Sequence, residues 1–289
     1  MESKIKISVI FNFASNEFIK WVTNPRIVIV GILITFIHSF TILPMLEHAQ
    51  KYGESLNVLE PFIAVGNSGM LALFMPIVFI ILISDFPKMD GNTVLYIYRI
   101  GKYNWFLGQM LFIIFAILGY ITVILSTCIF MSNGNFSINW SNTITKYEAT
   151  FPDEAGSFVS RLIPSNLYNQ LSLLKAFVFI VLLLILYLFA IALIISVMKL
   201  LYLKTAGLFM TIAFVSLGAA SCSLKTPVMW FFPTANTMIW MHYDELRREP
   251  ITPISTSFIY FIIIITLLIV TNIIILCKMQ FINIGQEEM

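Results

Sequence analysis

Charge is scarce in this chain: Asp, Glu, Lys and Arg make up 11% of its 289 residues, against 59% hydrophobic, and the mean hydropathy is +0.90. Soluble domains carry about a quarter charged residues, so water is excluded as the main solvent and lipid is expected in its place. The net charge is +2. Its basic residues come singly or in pairs, which excludes the basic stripe that nucleic acid requires. Cysteine is also rare. Cys128, Cys222 and Cys277 form no CxxC pair, and each lies inside or at the end of an apolar run, where packing is the expected role. Cys128 and Cys222 fall toward the same outer side in the topology below, so a disulfide there stays open but is not favoured.

Catalytic patterns are missing as well. There is no GxxxxGK followed by Ser or Thr, since Gly101-Lys102 lacks both the preceding glycine and the following hydroxyl residue. No GxSxG, no HExxH and no paired carboxylates within an apolar run are present. The chain is therefore not expected to be an enzyme, nor to hold a metal or cofactor of its own. His38, His48 and His242 are too dispersed to suggest a metal or haem site and read as packing or outer-surface residues. A cleavable leader is not expected either, because polar residues such as Lys4, Lys6, Asn12, Glu17 and Lys20 interrupt the first twenty positions.

What is present is a series of long apolar runs. Spans of about 20 residues are expected at 25–46, 68–84, 105–131, 173–197, 207–221 and 256–277. This predicts an all-α polytopic membrane protein with six transmembrane helices and a single transmembrane domain, 1–289. The last run is β-branched, yet the need for internal backbone hydrogen bonding in lipid favours a helix. Ahead of the first span, Phe11, Ala14, Phe18, Trp21 and Val22 recur at helical spacing opposite Asn12, Ser15, Asn16 and Lys20. An amphipathic interfacial helix at 7–22 follows, broken by Thr23-Asn24-Pro25. Residues 132–172 read as an extracellular loop. Residues 223–255 read as an outer segment that dips in and returns, with Asp244 placed to pair with Arg247 and Arg248. The sites Asn135-Phe-Ser and Asn139-Trp-Ser match a glycosylation pattern that chance explains in so Asn-rich a loop.

Placing the N-terminus inside puts Lys4, Lys6, Lys20, Arg26, Lys88, Arg99, Lys102, Lys199, Lys204 and Lys278, ten of seventeen basic residues, on the inner segments. Both termini are thus expected in the cytoplasm.

The connection at 86–104 is the most informative segment. Asn92 can cap a short helix over 93–100, Val94, Ile97 and Tyr98 share one face, and Gly101 can stop it. Lys102, Tyr103 and Trp105 then mark a return to the interface. Such a helix suits a groove on a soluble partner, or else an ordinary turn covered by lipid headgroups. Asp85, at the end of its span, reads as a carboxylate partnered by water or Lys88, with a functional role as the alternative.

The run SDFPKMDGNTVLYIYRIGKYNWFLGQ, with the preceding order of surface helix, Asn-Pro break, span, outer loop and span, resembles bacterial ABC transporter permeases of the ABC-2 type exporter family. The resemblance covers the whole chain as architecture and, as sequence, residues 17–34 and 85–109. It implies a membrane-spanning permease subunit that forms a translocation path as a homodimer or heterodimer in the bacterial cell membrane. Two separate cytoplasmic ABC ATPase subunits would carry ATP and Mg. It implies ATPase coupling through Asp85, Lys88, Asp90, Tyr96, Tyr98, Arg99, Lys102 and Trp105. An interfacial elbow helix would use Phe11, Phe18, Lys20 and Trp21. The alternatives are an ATPase-independent carrier or channel and a non-transporting membrane partner protein. An apolar path suits a hydrophobic or amphipathic cargo such as a peptide, an antibiotic or a lipid-linked molecule.

Overall fold

The computed structural model describes residues 5–89, 91–154, 156–244, 247 and 249–278. Asp90, Arg248 and Lys4 lie outside the described residues, as do the side chains of Asn92 and Val94. Among the described residues the structure is helical, and its only strand-like feature is one isolated bridge between Asn57 and Asn135.

The long helices are α1 (Ile7–Val22), α2 (Pro25–Tyr52), α3 (Glu60–Gly66), α4 (Met70–Leu82), α5 (Gly91–Ile100), α6 (Lys102–Met131), α7 (Leu173–Leu200), α8 (Lys204–Ser223) and α9 (Ile254–Lys278). Among the described residues, α2, α6, α7, α8 and α9 are long and apolar enough to cross a membrane, and the bent pair α3–α4 makes a sixth if it counts as one span. Helix α7 is aliphatic on every side and correspondingly central, with Leu183, Leu184, Tyr187, Leu188 and Ile191 fully buried against α6, α8 and α9. Helix α9 lies at the rim. It leaves Ile259, Ile262, Ile263, Leu267 and Val270 about half exposed, a surface compatible with lipid.

Several bounds differ from the sequence expectation. Helix α2 continues to Tyr52, six residues past the expected end, until Gly53 stops it at φ 84°. Helices α6 and α8 begin at Lys102 and Lys204, three residues early, because a lysine carries its charge on an apolar stem that suits a helix end. The second span is the largest departure. Its stretch begins with α3, in what reads as a polar connection, and bends by 59° across Asn67–Gly69. Ser68 makes that break locally stable: its hydroxyl donates to the Val65 carbonyl at 2.9 Å and accepts the Met70 amide at 3.1 Å. Gly66 lets α3 lie against α7, where an added Cβ would stand 2.6 Å from the Ile180 side chain.

Helix α1 packs along α6 rather than merely resting beside it. Its most buried residues are Phe13, Ala14 and Glu17, and Gly108 on α6 makes room for the Phe13 ring, 2.6 Å from where a Cβ would sit. The short helices Pro227–Phe231, Pro233–Thr237 and Ile239–His242 fold into the gap between α7, α8 and α9. Cys128 and Cys222 are both buried and both free, so no disulfide joins them.

Candidate functional site

At the α1 end of the bundle, three elements meet. Helix α5 is ended by Gly101 at φ 84°, and α6 starts on the next residue. Asn104, in the first turn of α6 and 2% exposed, joins all three: its amide donates to the Ile100 carbonyl at 2.7 Å, and its oxygen accepts the Lys6 amide just before α1 at 3.1 Å. Thr93 fastens the other end of α5 by donating to the Lys88 carbonyl at 3.0 Å. Asn104 escapes sequence reasoning because one polar residue in the first turn of an apolar helix looks unremarkable.

Of the residues singled out for partner contact, Tyr98 and Arg99 are exposed, with Tyr98 at 80%, and Leu95 on the same helix is exposed with them. Lys102 and Lys88 are half-buried, and the Lys102 ammonium lies 5.4 Å from the Tyr103 ring centre. Tyr96 is exposed along one edge but meets Phe13 of α1 edge-to-face at 5.7 Å, so it ties α5 to α1. Trp105 is a correction: at 1% exposed it is a core side chain with no surface to offer a partner. Among the elbow residues, Phe11 and Phe18 both meet Phe115 of α6 edge-to-face, at 5.9 and 6.1 Å, and Phe18 stacks on Trp21. The Trp21 ring nitrogen donates to the Leu82 carbonyl at the end of α4, 3.2 Å away, and Lys20 pairs with Glu17 at 2.7 Å.

Asp85 gathers cations from three other helices. Arg26, in the first turn of α2, binds its carboxylate at 2.6 Å and the Ser84 hydroxyl at 2.8 Å. Lys204 of α8 lies 3.5 Å from the other carboxylate oxygen, and the Lys199 ammonium of α7 donates to the Asp85 carbonyl. The expected partnership with Lys88 is therefore corrected to Arg26 and Lys204. Partial burial pushes the Asp85 pKa up, but the Arg26 hydrogen bond and the charges of Arg26, Lys199 and Lys204 outweigh it and hold it below the ordinary carboxylate value. The four residues come from positions 26 to 204 of the chain, and helix packing alone brings them together. Beside them, a cleft of about 100 Å³ opens between α1, the start of α2 and the turn after α4.

The opposite end is closed by hydrogen bonds. Glu60 is fully buried and accepts the Asn57 amide at 2.9 Å, the Ser141 amide at 2.7 Å and the Ser141 hydroxyl at 2.9 Å. Asn57 in turn donates to the Ser137 and Asn139 carbonyls at 2.7 and 3.1 Å. The hydroxyl residues of both glycosylation-like triplets are thus used to fasten the long loop. Further along, Lys51 pairs with Glu154, and Tyr147 donates to Glu154 at 2.5 Å. Burial and then the Glu154 carboxylate push the Tyr147 phenol up to about 12, while the Lys51 and Tyr147 hydrogen bonds hold Glu154 below its ordinary value. Asp244 lies 4.0 Å from Arg247.

Two π-helical turns, His38–Ile42 in α2 and Met70–Phe74 at the start of α4, flank an apolar recess of about 320 Å³. Phe36 stacks on both Phe40 and Phe74 at 5.7 Å, Phe158 from the long loop covers one side, and the buried Thr41 hydroxyl has no hydrogen-bond partner. Such turns are uncommon and frequently mark functional positions. His242 is buried rather than on the surface, bonded to the Thr252 carbonyl at 2.9 Å and the Ser257 hydroxyl at 3.2 Å. Among the described residues no group of three His, Cys, Asp or Glu is placed to hold a metal ion. No protein-family model, curated protein or solved structure matches this chain.

Proposed function

We propose that the chain is the membrane-spanning permease subunit of an ATP-driven exporter, acting as a dimer in the bacterial cytoplasmic membrane. Both termini would face the cytoplasm, and the ATP and Mg would belong to separate ATPase subunits. The observation behind this is α5: a ten-residue helix that turns Leu95, Tyr98 and Arg99 outward while Asn104 and Tyr96 fix it to α1 and α6. A lever needs both properties, a face for a partner and a stiff joint to what it moves.

Closure of the ATPases pushes α5 in this scheme. The push reaches α1 through Asn104 and Phe13, then the end of α4 through the Trp21 bond to Leu82. The Asp85 cluster lies on that route. It joins the ends of α2, α4 and α8 by half-exposed ion pairs that a small tilt rearranges, and reaches α7 through the bond from buried Lys199 to the Asp85 carbonyl. The apolar recess between the two π-turns is the candidate place for a hydrophobic or amphipathic cargo, with the unpartnered Thr41 hydroxyl in its wall.

Affinity purification of the full chain from its native membrane tests the proposal. An ABC ATPase is expected to co-purify, and Tyr98→Ala with Arg99→Ala to release it without unfolding the chain. If no ATPase is recovered and the double variant transports as well as the parent, the proposal is wrong.

A further inference from the structure

The long loop carries an apolar pair that the transport scheme leaves unused. Between Lys102 and Lys146 the sequence holds no Asp, Glu, Lys or Arg. Most of that run is α6, which needs no charge in lipid, but its last part, 132–145, lies beyond the helix and is equally free of charge. Within it Phe136 is 68% exposed and Ile138 64% exposed. Large apolar side chains displayed together at a surface mark a place where something else packs.

The pair is held in place by the chain itself. The Asn57 side-chain amide donates to the Ser137 carbonyl, the Ser137 hydroxyl and the Asn139 carbonyl at 2.7, 2.8 and 3.1 Å. Just before them, the Asn135 backbone amide donates to the Leu56 carbonyl at 3.0 Å, and its side chain donates to the Ser55 hydroxyl at 3.0 Å. Asn135, Ser137 and Asn139 are thus fastened to the 55–58 connection, while the alternate residues Phe136 and Ile138 stay outside it. The ordering of the segment is already complete, so a surface that covers the two side chains gains their apolar area with little further loss of entropy.

Its place in the fold identifies that surface. Helix α6 ends at Met131, and the Trp140 ring nitrogen donates to the Leu171 carbonyl at 2.9 Å, just before α7 starts at Leu173. The segment is therefore fastened at the level where one membrane-long helix ends and the next begins. The face of α6 that leads there is apolar, with Leu107, Ile114 and Leu118 exposed at helical spacing and Phe130 in the last turn at 82%. A charge-free segment at that level, with Asn and Ser for its backbone contacts and Phe and Ile turned out, suits the boundary between headgroups and acyl chains. We propose that Phe136 and Ile138 insert into the surface of the bilayer and anchor the long loop there. Phe158 of the same loop covers the apolar recess, so the anchor ties that cover to the lipid surface. The proposal rests on the membrane placement above but not on transport or on the partner ATPase.

The test uses the full chain in vesicles of phosphatidylcholine and phosphatidylglycerol, with Cys277→Ser removing the one exposed cysteine. Phe136→Cys and Ile138→Cys each take a nitroxide label, and both sites are exposed, so the labelled chains should unfold at the parent's temperature. Two references are labelled in the same way: Leu118→Cys on the exposed face of α6, and Asp153→Cys, exposed further along the loop. Collisions are measured with oxygen, which concentrates in lipid, and with a neutral nickel chelate, which stays in water. The oxygen-to-nickel ratio at 136 and 138 is expected to exceed that at 153 severalfold and to approach that at 118. A ratio equal to that at 153 overturns the proposal. Labels shielded from both reagents overturn it in favour of a protein surface, a second copy or another chain. A water-like ratio at 118 shows instead that the membrane placement is wrong, and the anchor falls with it.

Discussion

Asp85→Asn removes the one anion shared by Arg26, Lys199 and Lys204. The Arg26 contact is short, 2.6 Å, but its side chains are 42% and 49% exposed. Water therefore screens most of the attraction, and the pair is worth about 1 kcal/mol, at the upper end for exposed ion pairs. Lys204, at 3.5 Å and 58% exposed, adds about 0.5 kcal/mol by the same rule. The single substitution should then cost about 1.5–2 kcal/mol, since it also removes the negative charge that offsets the repulsion between Arg26 and Lys204. A double-mutant cycle with Arg26→Gln, read by thermal unfolding in detergent, isolates the pair, and a coupling of about 1 kcal/mol is expected. High salt should shrink it. The pH dependence has a definite sign. The folded pKa of Asp85 is depressed, so its stabilisation is present above the ordinary carboxylate value and is lost as the pH falls through the folded value. The gap between the parent and Asp85→Asn should therefore close as the pH is lowered from about 7 to about 3. A coupling below about 0.2 kcal/mol, or a gap that persists at low pH, would refute the charge cluster as a stabilising junction.

The opposite end should respond more strongly. Glu60→Ala strands the Asn57 and Ser141 amides and the Ser141 hydroxyl in a buried site, and should cost about 3–5 kcal/mol; denaturant unfolding measures it, and limited proteolysis should find the 132–172 loop newly cleavable. Gly134→Ala places a Cβ against the Leu56 carbonyl oxygen, a backbone atom that cannot turn aside, and should cost about 1–3 kcal/mol by the same unfolding measurement. Gly108→Leu drives into the Phe13 ring and should detach α1, making residues 5–24 protease-sensitive while the rest of the bundle resists. Glu154→Gln should flatten the acid limb of stability, because the depressed Glu154 value contributes only above the carboxylate range and fades as the pH falls.

The helical class and the apolar helices were legible because length and hydropathy alone decide them, and α7 shows the clearest case, aliphatic on every side and more buried than α2, α6, α8 or α9. What the sequence hid were long-range pairings of unremarkable residues. Arg26, Asp85, Lys199 and Lys204 each read as an ordinary charge at a helix end, and only packing makes them a cluster. Glu60 misled in the other direction: a carboxylate in a polar stretch suggests a solvated loop, yet three hydrogen bonds let it be buried at the start of α3. Trp105 misled because tryptophan favours interfaces on average, whereas here the start of α6 faces inward, between Asn104 and Phe106, both also buried. The two π-turns share a mark that hydropathy does not see: each ends two residues before a proline, Pro44 and Pro76, which has no N–H for the regular i→i−4 bond.

The two ends of the bundle differ in what holds them closed, and that difference bears on how a transport path would open. At the α1 end, α2 and α8 are joined to the turn after α4 by ion pairs whose side chains are about half exposed, each contributing about 1 kcal/mol or less, and α7 by the buried Lys199 ammonium's bond to the Asp85 carbonyl. At the other end, a buried carboxylate with three donors and the Asn57 ladder fasten α3 to the long loop, worth several kcal/mol together. Opening at the α1 end exchanges weak screened pairs for water, while opening at the loop end exposes donors that were satisfied in the dry interior. If the chain transports as proposed, then with the recess between the π-turns covered on one side by Phe158 of that loop, the resting chain should admit cargo from the membrane or from the α1 end. Release past the loop should require work. Under the proposed function, a cysteine at half-buried Ser84 should react with a soluble thiol reagent in the resting state, whereas one at buried Thr143 should react only when the proposed ATPase partner is cycling ATP; equal labelling of both at rest would reverse the assignment.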